Sequence, residues 1–243
     1  MTIKNILIDL DGTLTDPKAG IHRSIRYALE KLGHPLADGV DLDWTIGPPL
    51  KASLAKLLNT QDDDFAEQAL LAYRERFSVT GLFENEVYAT VVETLQQLQV
   101  QGYQLFLATA KPTIFAKQIL VHFQLDQYFT EMYGSELTGE RTHKADLIAY
   151  ILEQENLDAA KAFAEELSTK EVILTLKVGE GGRTFGSVSS KEISEAAKKQ
   201  LNLDIDKKKL QMENPIRNLG VTNVPVRLHP KVTGSLKVWV KEA

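Results

Sequence analysis

The chain has 243 residues, 43% hydrophobic and 25% charged, with 28 Lys and Arg against 33 Asp and Glu for a net charge of −5. This is ordinary globular composition, with room for one large domain or two small ones. No apolar run reaches the length of about 18 residues that a membrane span needs, the N-terminus carries no signal-peptide pattern, and the absence of cysteine excludes disulfides and thiolate metal sites and fits a cytoplasmic protein.

The charge is divided unevenly. Residues 1–159 hold 13 Lys and Arg against 23 Asp and Glu, a net −10, and residues 160–243 hold 15 against 10, a net +5. Such asymmetry points either to halves with different partners or simply to two unlike surfaces.

In chain order, Ile6-Leu7-Ile8 within residues 4–9 reads as a buried strand. Ile21, Ile25, Ala28, Leu29 and Leu32 fall at helical spacing, with Gly33 as the stop. Gly47-Pro48-Pro49 is a rigid turn opening a helix over 50–59, and Asp62 to Asp64 begin another that runs to Val79. Residues 17–84 thus read as a helical insertion. An amphipathic helix over 88–101 ends at Gly102, a strand covers Gln104 to Ala108, a helix 113–123, and a third strand Phe129 to Tyr133. A helix starting at Thr142 or His143 contains Lys144, Leu147, Ile148, Ile151 and Leu152, and its pattern continues toward Leu167.

The character then changes. Glu171 to Val178 alternate as a strand, Gly179 to Arg183 form a loop, and Ser189 or Ser190 caps a helix to Leu201, with Glu192 placed for a capping box. Lys207 to Met212 reads as a short strand, 214–220 as a turn or short helix, and Val224 to Leu228 and Leu236 to Val240 as strands. This tail is α+β rather than more parallel sheet.

The string Asp9-Leu10-Asp11-Gly12-Thr13-Leu14-Thr15-Asp16 is the most informative stretch. Two carboxylates two residues apart at a strand's end point the same way, and Gly12 permits the sharp turn behind them. That arrangement suits phosphoryl transfer, with one carboxylate as nucleophile and the other handling the proton. On this string, with Thr109-Ala110-Lys111-Pro112 and Lys144, residues 1–158 resemble the haloacid-dehalogenase-like phosphatases, close to phosphoglycolate phosphatase-like members with a small helical cap. The resemblance implies a Rossmann-like α/β core and a small phosphate monoester as substrate. It makes Asp9 the nucleophile, Asp11 the general acid/base, Thr109 a donor to the phosphoryl oxygens and Lys144 the balancing cation. It also implies Mg2+ held by the Asp9 carboxylate, the Asp11 backbone carbonyl and an acid after the fourth strand. Alone, Thr109 would read as a helix cap and Lys144 as a surface lysine; their order and spacing favour the functional roles. Gly47, Pro48 and Pro49 form either a cap loop that touches substrate or merely a turn, and His143 reads as a helix-start residue.

The resemblance stops short of its fourth motif. A Gly-Asp followed by another Asp should come soon after Leu157-Asp158, where the chain has Ala160 to Leu167 instead. The nearest look-alike, Val178-Gly179-Glu180, offers one carboxylate and no second acid through Phe185. Two family strands are missing with the motif. The strand before Asp9 is then expected to be an exposed edge, unless the strand at 171–178 fills the gap.

From Ala160 on, Gly179-Glu180-Gly181-Gly182-Arg183-Thr184-Phe185-Gly186-Ser187-Val188, Ile216-Arg217-Asn218-Leu219-Gly220 and Asn223 to Val232 carry a second resemblance. It is to the C-terminal domain of bacterial large-subunit ribosomal protein nine, and it implies ribosomal RNA as partner. Arg183, Arg217, Arg227, His229 and Lys231 are the candidate contacts, in a basic, loop-rich surface suited to phosphates and shape. Lys207-Lys208-Lys209 reads as a solvated run and Phe185 as packed, with stacking on RNA as the lesser alternative. The family's N-terminal RNA-binding domain has no counterpart in residues 1–159.

The chain is therefore expected to be a chimera. A truncated phosphatase core occupies 1–16 and 85–158 with its helical cap at 17–84, a helical junction follows at 159–170, and a separate small α+β domain occupies 171–243. Three readings follow: a phosphatase impaired by the lost motif, a ribosomal RNA-binding protein acting through its tail, or a chain in which neither activity survives.

Overall fold

The computed structural model describes residues 4–179 and 184–243. The chain divides into two compact units, Met1–Ile151 and Leu152–Ala243. Among the described residues no helix is long and apolar enough to cross a membrane.

The first unit opens with strand β1, Asn5–Ile8. The chain turns at Gly12 (φ +75°), where the Leu14 amide donates to the Leu10 carbonyl at 2.8 Å. It enters β2, Thr15–Asp16, which pairs antiparallel with β3, Glu86–Val87. This two-stranded tie, which periodicity alone does not reveal, closes the base of the helical insertion. Three helices lie between: α1 (Lys18–Lys31), α2 (Leu50–Leu57) and α3 (Asp63–Phe77). In α1 the expected stripe of Ile21, Ile25, Ala28 and Leu29 is buried. The α3 cap is Asp62, whose carboxylate accepts from the amides of Asp64 and Phe65; acids fill the first turn, and Arg74 and Arg76 the last, as the helix dipole favours. A Cβ on Gly20 would stand 2.1 Å from the Gly81 carbonyl oxygen, so only glycine permits this close approach of α1 to the chain returning from the cap.

The sheet continues with β4, Gln104–Pro112, and β5, Glu131–Ser135, flanked by helices α4 (Val91–Val100) and α5 (Thr113–His122). All pairings are parallel, in the order β1-β4-β5, with Ile8 opposite Leu107 and Ala108 opposite Tyr133. Among the described residues strand β1 is an edge of its sheet, as the sequence leads one to expect, and Leu7 on it is 37% exposed. The third strand starts at Glu131 rather than Phe129, because Asp126–Tyr128 wind into a 3-10 turn first. Helix α6, Lys144–Ser168, contributes to both units. Its Leu147 and Ile151 pack with Ala108 and Tyr133 of the first sheet.

In the second unit, β6 (Glu171–Val178), β7 (Thr184–Phe185), helix α7 (Ser190–Leu201), β8 (Gly220–His229) and β9 (Val232–Glu242) build a mixed sheet in the order β7-β6-β9-β8. Strands β6 and β9 run parallel, and β8 and β9 form an antiparallel hairpin. Val172, Leu176, Val226, Leu236, Val238 and Val240 face a core shared with Ile193 and Ala197 of α7 and with Leu167 of α6. The expected capping box is present: the Ser189 hydroxyl receives the Glu192 amide, and the Glu192 carboxylate receives the Ser189 amide at 2.7 Å.

Three expectations are corrected, and one open alternative loses its helical reading. Lys207 to Met212 is not a strand: the Asp206 carboxylate accepts from the Lys208 amide and winds Lys207–Lys209 into a 3-10 turn, leaving one bridge from Leu210 to Val226. Residues 214–220 hold no helix, Ile216 instead bridging Val188. Strand β6 does not complete the first sheet, since its partners are β7 and β9. Phe185 is not packed into the core but 66% exposed.

Candidate active site

The first unit encloses a cavity of about 590 Å³ in which the ends of β1 and β4, the loop after β5 and the start of α6 face the helical insertion. Asp9, Asp11, Thr109 and Lys144 all line it, and so do Gly47, Pro48 and Pro49 from the insertion. Four residues spread over 136 positions of sequence are thus brought to the carboxyl ends of parallel strands, where open α/β sheets place their ligands.

Two carboxylates each face a lysine. The Asp9 Oδ1 accepts from the Leu10 amide at 2.8 Å, and its Oδ2 lies 2.8 Å from Lys144 Nζ. Lys144 Nζ also donates to the Ala108 carbonyl at 2.8 Å, so packing of α6 on β4 and the ammonium's own hydrogen bond both fix its position. The Asp11 Oδ2 lies 3.0 Å from Lys111 Nζ, whereas its Oδ1 is buried without a hydrogen-bond partner among the described residues. A buried acceptor left open in this way is rare. The Thr109 hydroxyl oxygen accepts from the Lys111 amide at 3.2 Å. Thr109 does not cap α5, which begins four residues later behind Pro112.

Lys111 is the residue that sequence reasoning passed over. Its side chain is 5% exposed, with the ammonium against Asp11 and 4.7 Å from the centre of the Phe77 ring. The signal available was its place two residues after Thr109; its burial depends on α3 folding over it. Beside it, burial and the Asp11 carboxylate push the Tyr73 phenol well above its ordinary range. Arg74 donates to the Leu137 carbonyl at 2.9 Å and so ties α3 of the insertion to the loop after β5.

In the second unit, Arg183 and the look-alike acid Glu180 lie outside the described residues. Arg217 and Arg227 are exposed, and the Arg217 carbonyl accepts from the Thr184 hydroxyl. His229 and Lys231 converge on one carboxylate: Glu153 of α6 lies 3.5 Å from His229 Nε2 and 3.7 Å from Lys231 Nζ. The Lys231 amide donates to His229 Nδ1 at 3.2 Å, and the imidazole is only 9% exposed. Two of the five basic candidates are therefore already engaged within the unit.

Comparison with known proteins places these two units separately. The family model of haloacid dehalogenase-like hydrolases matches residues 6–166, and that of the ribosomal protein L9 C-terminal domain matches residues 158–242. A 5'-nucleotidase of Pseudomonas aeruginosa is 48% identical over 155 residues, which cover 64% of this chain and 70% of that protein. The large ribosomal subunit protein bL9 of Lachnoclostridium phytofermentans is 60% identical over 126 residues, covering 52% of this chain and 82% of that protein. The crystal structure of a predicted phosphatase from Clostridium acetobutylicum superposes with a TM-score of 0.61 at 42% identity, covering 64% of this chain and 72% of that one. The chain belongs to the haloacid dehalogenase-like hydrolases through the larger part of its length and joins to that fold a bL9-type C-terminal domain.

Proposed function

We propose that the first unit derives from a Mg2+-dependent phosphate monoester hydrolase, retains that enzyme's attacking groups, and turns over slowly or not at all for want of a complete metal site. The observation that supports the first part is the convergence of Asp9, Asp11, Thr109 and Lys144 on one cavity. In this reading an Asp9 oxygen attacks phosphorus as the bond to the ester oxygen breaks, and Asp11 protonates the departing alkoxide. A water that gives its proton to Asp11 then attacks the aspartyl-phosphate, releasing phosphate and Asp9. Lys144 offsets the charge gathered on Asp9 and the phosphoryl group, and the Thr109 hydroxyl orients a phosphoryl oxygen. Gly47, Pro48 and Pro49 wall the substrate on the side of the insertion.

The second part of the proposal rests on the donor set. Phosphatases of this family generally use Mg2+, which takes about six oxygen ligands and supplies charge neutralisation on the phosphoryl group. Among the described residues no cluster of three or more His, Asp or Glu side chains is placed to hold a metal. The Asp9 carboxylate, which the resemblance gives to the metal, already faces the Lys144 ammonium. These residues do not fit the ion, and no step is assigned to it.

Hydrolysis of p-nitrophenyl phosphate with and without Mg2+, beside Asp9→Asn, tests both parts. Indistinguishable rates for the two proteins are expected. Turnover that requires both Mg2+ and Asp9 would overturn the impairment and leave the attacking groups standing.

A second reading concerns the tail. We infer from the similarity to bL9 and from the exposed Arg217 and Arg227 that it contacts ribosomal RNA through basic side chains. Arg183 would add to that set, while His229 and Lys231 would first have to leave Glu153. Binding to a ribosomal RNA fragment should weaken steeply with salt and weaken further in R217A/R227A.

A further inference from the structure

The outer face of the second unit's sheet carries a group of side chains that neither the active-site reading nor the basic contacts of the tail use. Strand register places them. Ile173 of β6, Trp239 of β9 and Val221 of β8 are direct cross-strand neighbours, and Phe185 of β7 sits opposite Lys177 of β6. Residues paired in this way share a face, and positions 173 and 177 on one strand share it too. All four hydrophobic side chains are exposed: Ile173 by 38%, Trp239 by 37%, Val221 by 56% and Phe185 by 66%. The alternate residues Val172, Leu176, Val238 and Val240 supply the core, so this face carries no part of it.

Cations stand among these rings. Lys237 and Lys241 flank Trp239 two residues to either side on β9, and Lys177 adjoins Phe185. Lys241 Nζ lies 3.9 Å from the centre of the Trp239 ring. Among the described residues, the ion pairs within the second unit join Lys161 with Asp158, Lys191 with Glu195, Lys198 with Asp204, and His229 and Lys231 with Glu153. None of Lys177, Lys237 and Lys241 is among them. Lys237 stands directly across from Glu171 on this face without a close ion pair to it, and Lys177 and Lys241 have no carboxylate paired with them among the described residues, so positive charge and π-surfaces are presented together. A face serving only solubility needs no aromatics, and a purely apolar docking face has no use for unpaired ammonium groups.

We propose that this face is a stacking platform for single-stranded nucleic acid, with Trp239 and Phe185 each receiving a base and Lys177, Lys237 and Lys241 tracking the phosphates. Bases stacking on aromatic rings above a basic surface are the general means of holding a single strand without reading its sequence. Phe185 and Trp239 stand four residues apart along β6 and two strands apart across the sheet, roughly 16 Å at ordinary strand spacings. A few unstacked nucleotides bridge that gap. A duplex keeps its bases paired inside and offers neither ring a free face. On binding, the Lys241 arm leaves the Trp239 ring for a phosphate and the base takes its place. The platform uses none of the basic side chains, Arg217 and Arg227, through which the tail is proposed to contact ribosomal RNA.

The test uses the full chain carrying Trp44→Phe, which leaves Trp239 as its one tryptophan. A fluorescein-labelled 12-mer of oligouridylate is titrated in, alone and as its duplex with oligoadenylate, following both anisotropy and Trp239 emission. The single strand should quench Trp239 and bind at least about fivefold more tightly than the duplex. W239A and F185A should each weaken it about tenfold, and W239F should restore most of the loss. The slope of log K against log salt should be about −2, the value for three phosphate contacts on a single strand. Unquenched Trp239, equal affinity for strand and duplex, or full displacement by polyglutamate with no effect of W239A would overturn the platform. Loss of binding in R217A/R227A with W239A unaffected would overturn it too while leaving the tail's basic contacts in place. The converse pattern would support the platform and remove those contacts.

Discussion

Two sheet edges show how differently the halves of this molecule are finished. In the first unit β1 is paired on one side by β4 and lies open on the other, with Leu7 exposed on it. In the second unit β6 is covered by β7 only at Lys177 and Val178, so its edge near Ile173 is equally unpaired by strands. There Gln200 of α7 acts as a substitute: its side-chain oxygen accepts from the Ile173 amide at 2.9 Å, and its nitrogen donates to the Ile173 carbonyl at 2.7 Å. One edge is terminated by a residue placed to satisfy it; the other has no strand beyond it among the described residues. A domain joined whole brings its edge protection along, and a domain cut inside its sheet leaves that protection behind.

Equal injury to the two cores should produce the largest difference between them. Leu107 of β4 and Leu236 of β9 are both fully buried. Leucine-to-alanine changes at such positions cost about 2–5 kcal/mol, with the larger values where the surroundings cannot collapse. L236A, inside a sheet sealed on its inner face by α7 and α6, should fall in the upper part of that range. L107A, one strand from an open edge, should fall in the lower. Urea unfolding followed by Trp239 for the tail and Trp44 for the first unit measures each. Equal losses would mean the open edge leaves the first core as rigid as the second.

The order of the elements is legible in the sequence because it is carried by local signals: the Ile21 to Leu29 stripe, the Asp62 cap of α3, and Ser189 with Glu192 opening α7. The candidate site is legible to the same depth, since Asp9 and Asp11 sit in a contiguous string whose geometry follows from strand alternation. What the sequence conceals depends on chain segments distant from one another. Lys111 looks like any solvated lysine until α3 brings Phe77 over it. The β2–β3 tie joins Thr15 with Val87 and Asp16 with Glu86, across the whole helical insertion. Phe185 is apolar, and composition alone assigns it to a core, whereas its register opposite Lys177 puts it on the outer face. Nothing local to His229 announces that Glu153, far earlier in the chain, will meet it.

The next effect in size tests how the insertion is held. Arg76 grips Glu84 through two hydrogen bonds of 2.8 and 3.0 Å, and Arg23 adds a third at 2.8 Å. The Arg76 hydrogen bonds, followed by that of Arg23, hold the Glu84 carboxyl down at about 2 against its ordinary 4.5. A carboxyl depressed on folding stabilises the protein above its unfolded pKa, and that stabilisation is lost as pH falls through the folded one. E84Q should therefore destabilise the first unit by about 2 kcal/mol at pH 7, allowing for solvent screening of a pair that is partly exposed. The gap between the variant and the parent should narrow from pH 4.5 downward and close near pH 2. A difference that holds constant across that interval would show that the glutamate acts through packing rather than charge.

The smallest effect bears directly on the two edges. Gln200→Ala removes both hydrogen bonds to Ile173 and leaves its backbone groups to solvent, for about 1 kcal/mol of stability. Its larger consequence is an opened edge, and sedimentation velocity over a range of concentrations should show self-association in Q200A that the parent's tail does not contribute. Leu7→Lys is the opposite manipulation. It sets a charge on the open edge of β1, the device by which natural sheets discourage strand addition, and should lower whatever association the parent chain shows while shifting stability by less than about 0.5 kcal/mol. If association rises in Q200A and falls in L7K, edge exposure governs the solution behaviour of this chain. If Q200A stays as monodisperse as the parent, the side-chain amide on Ile173 is a local hydrogen-bond partner only, and the contrast between a finished and an unfinished sheet rests on β1 alone.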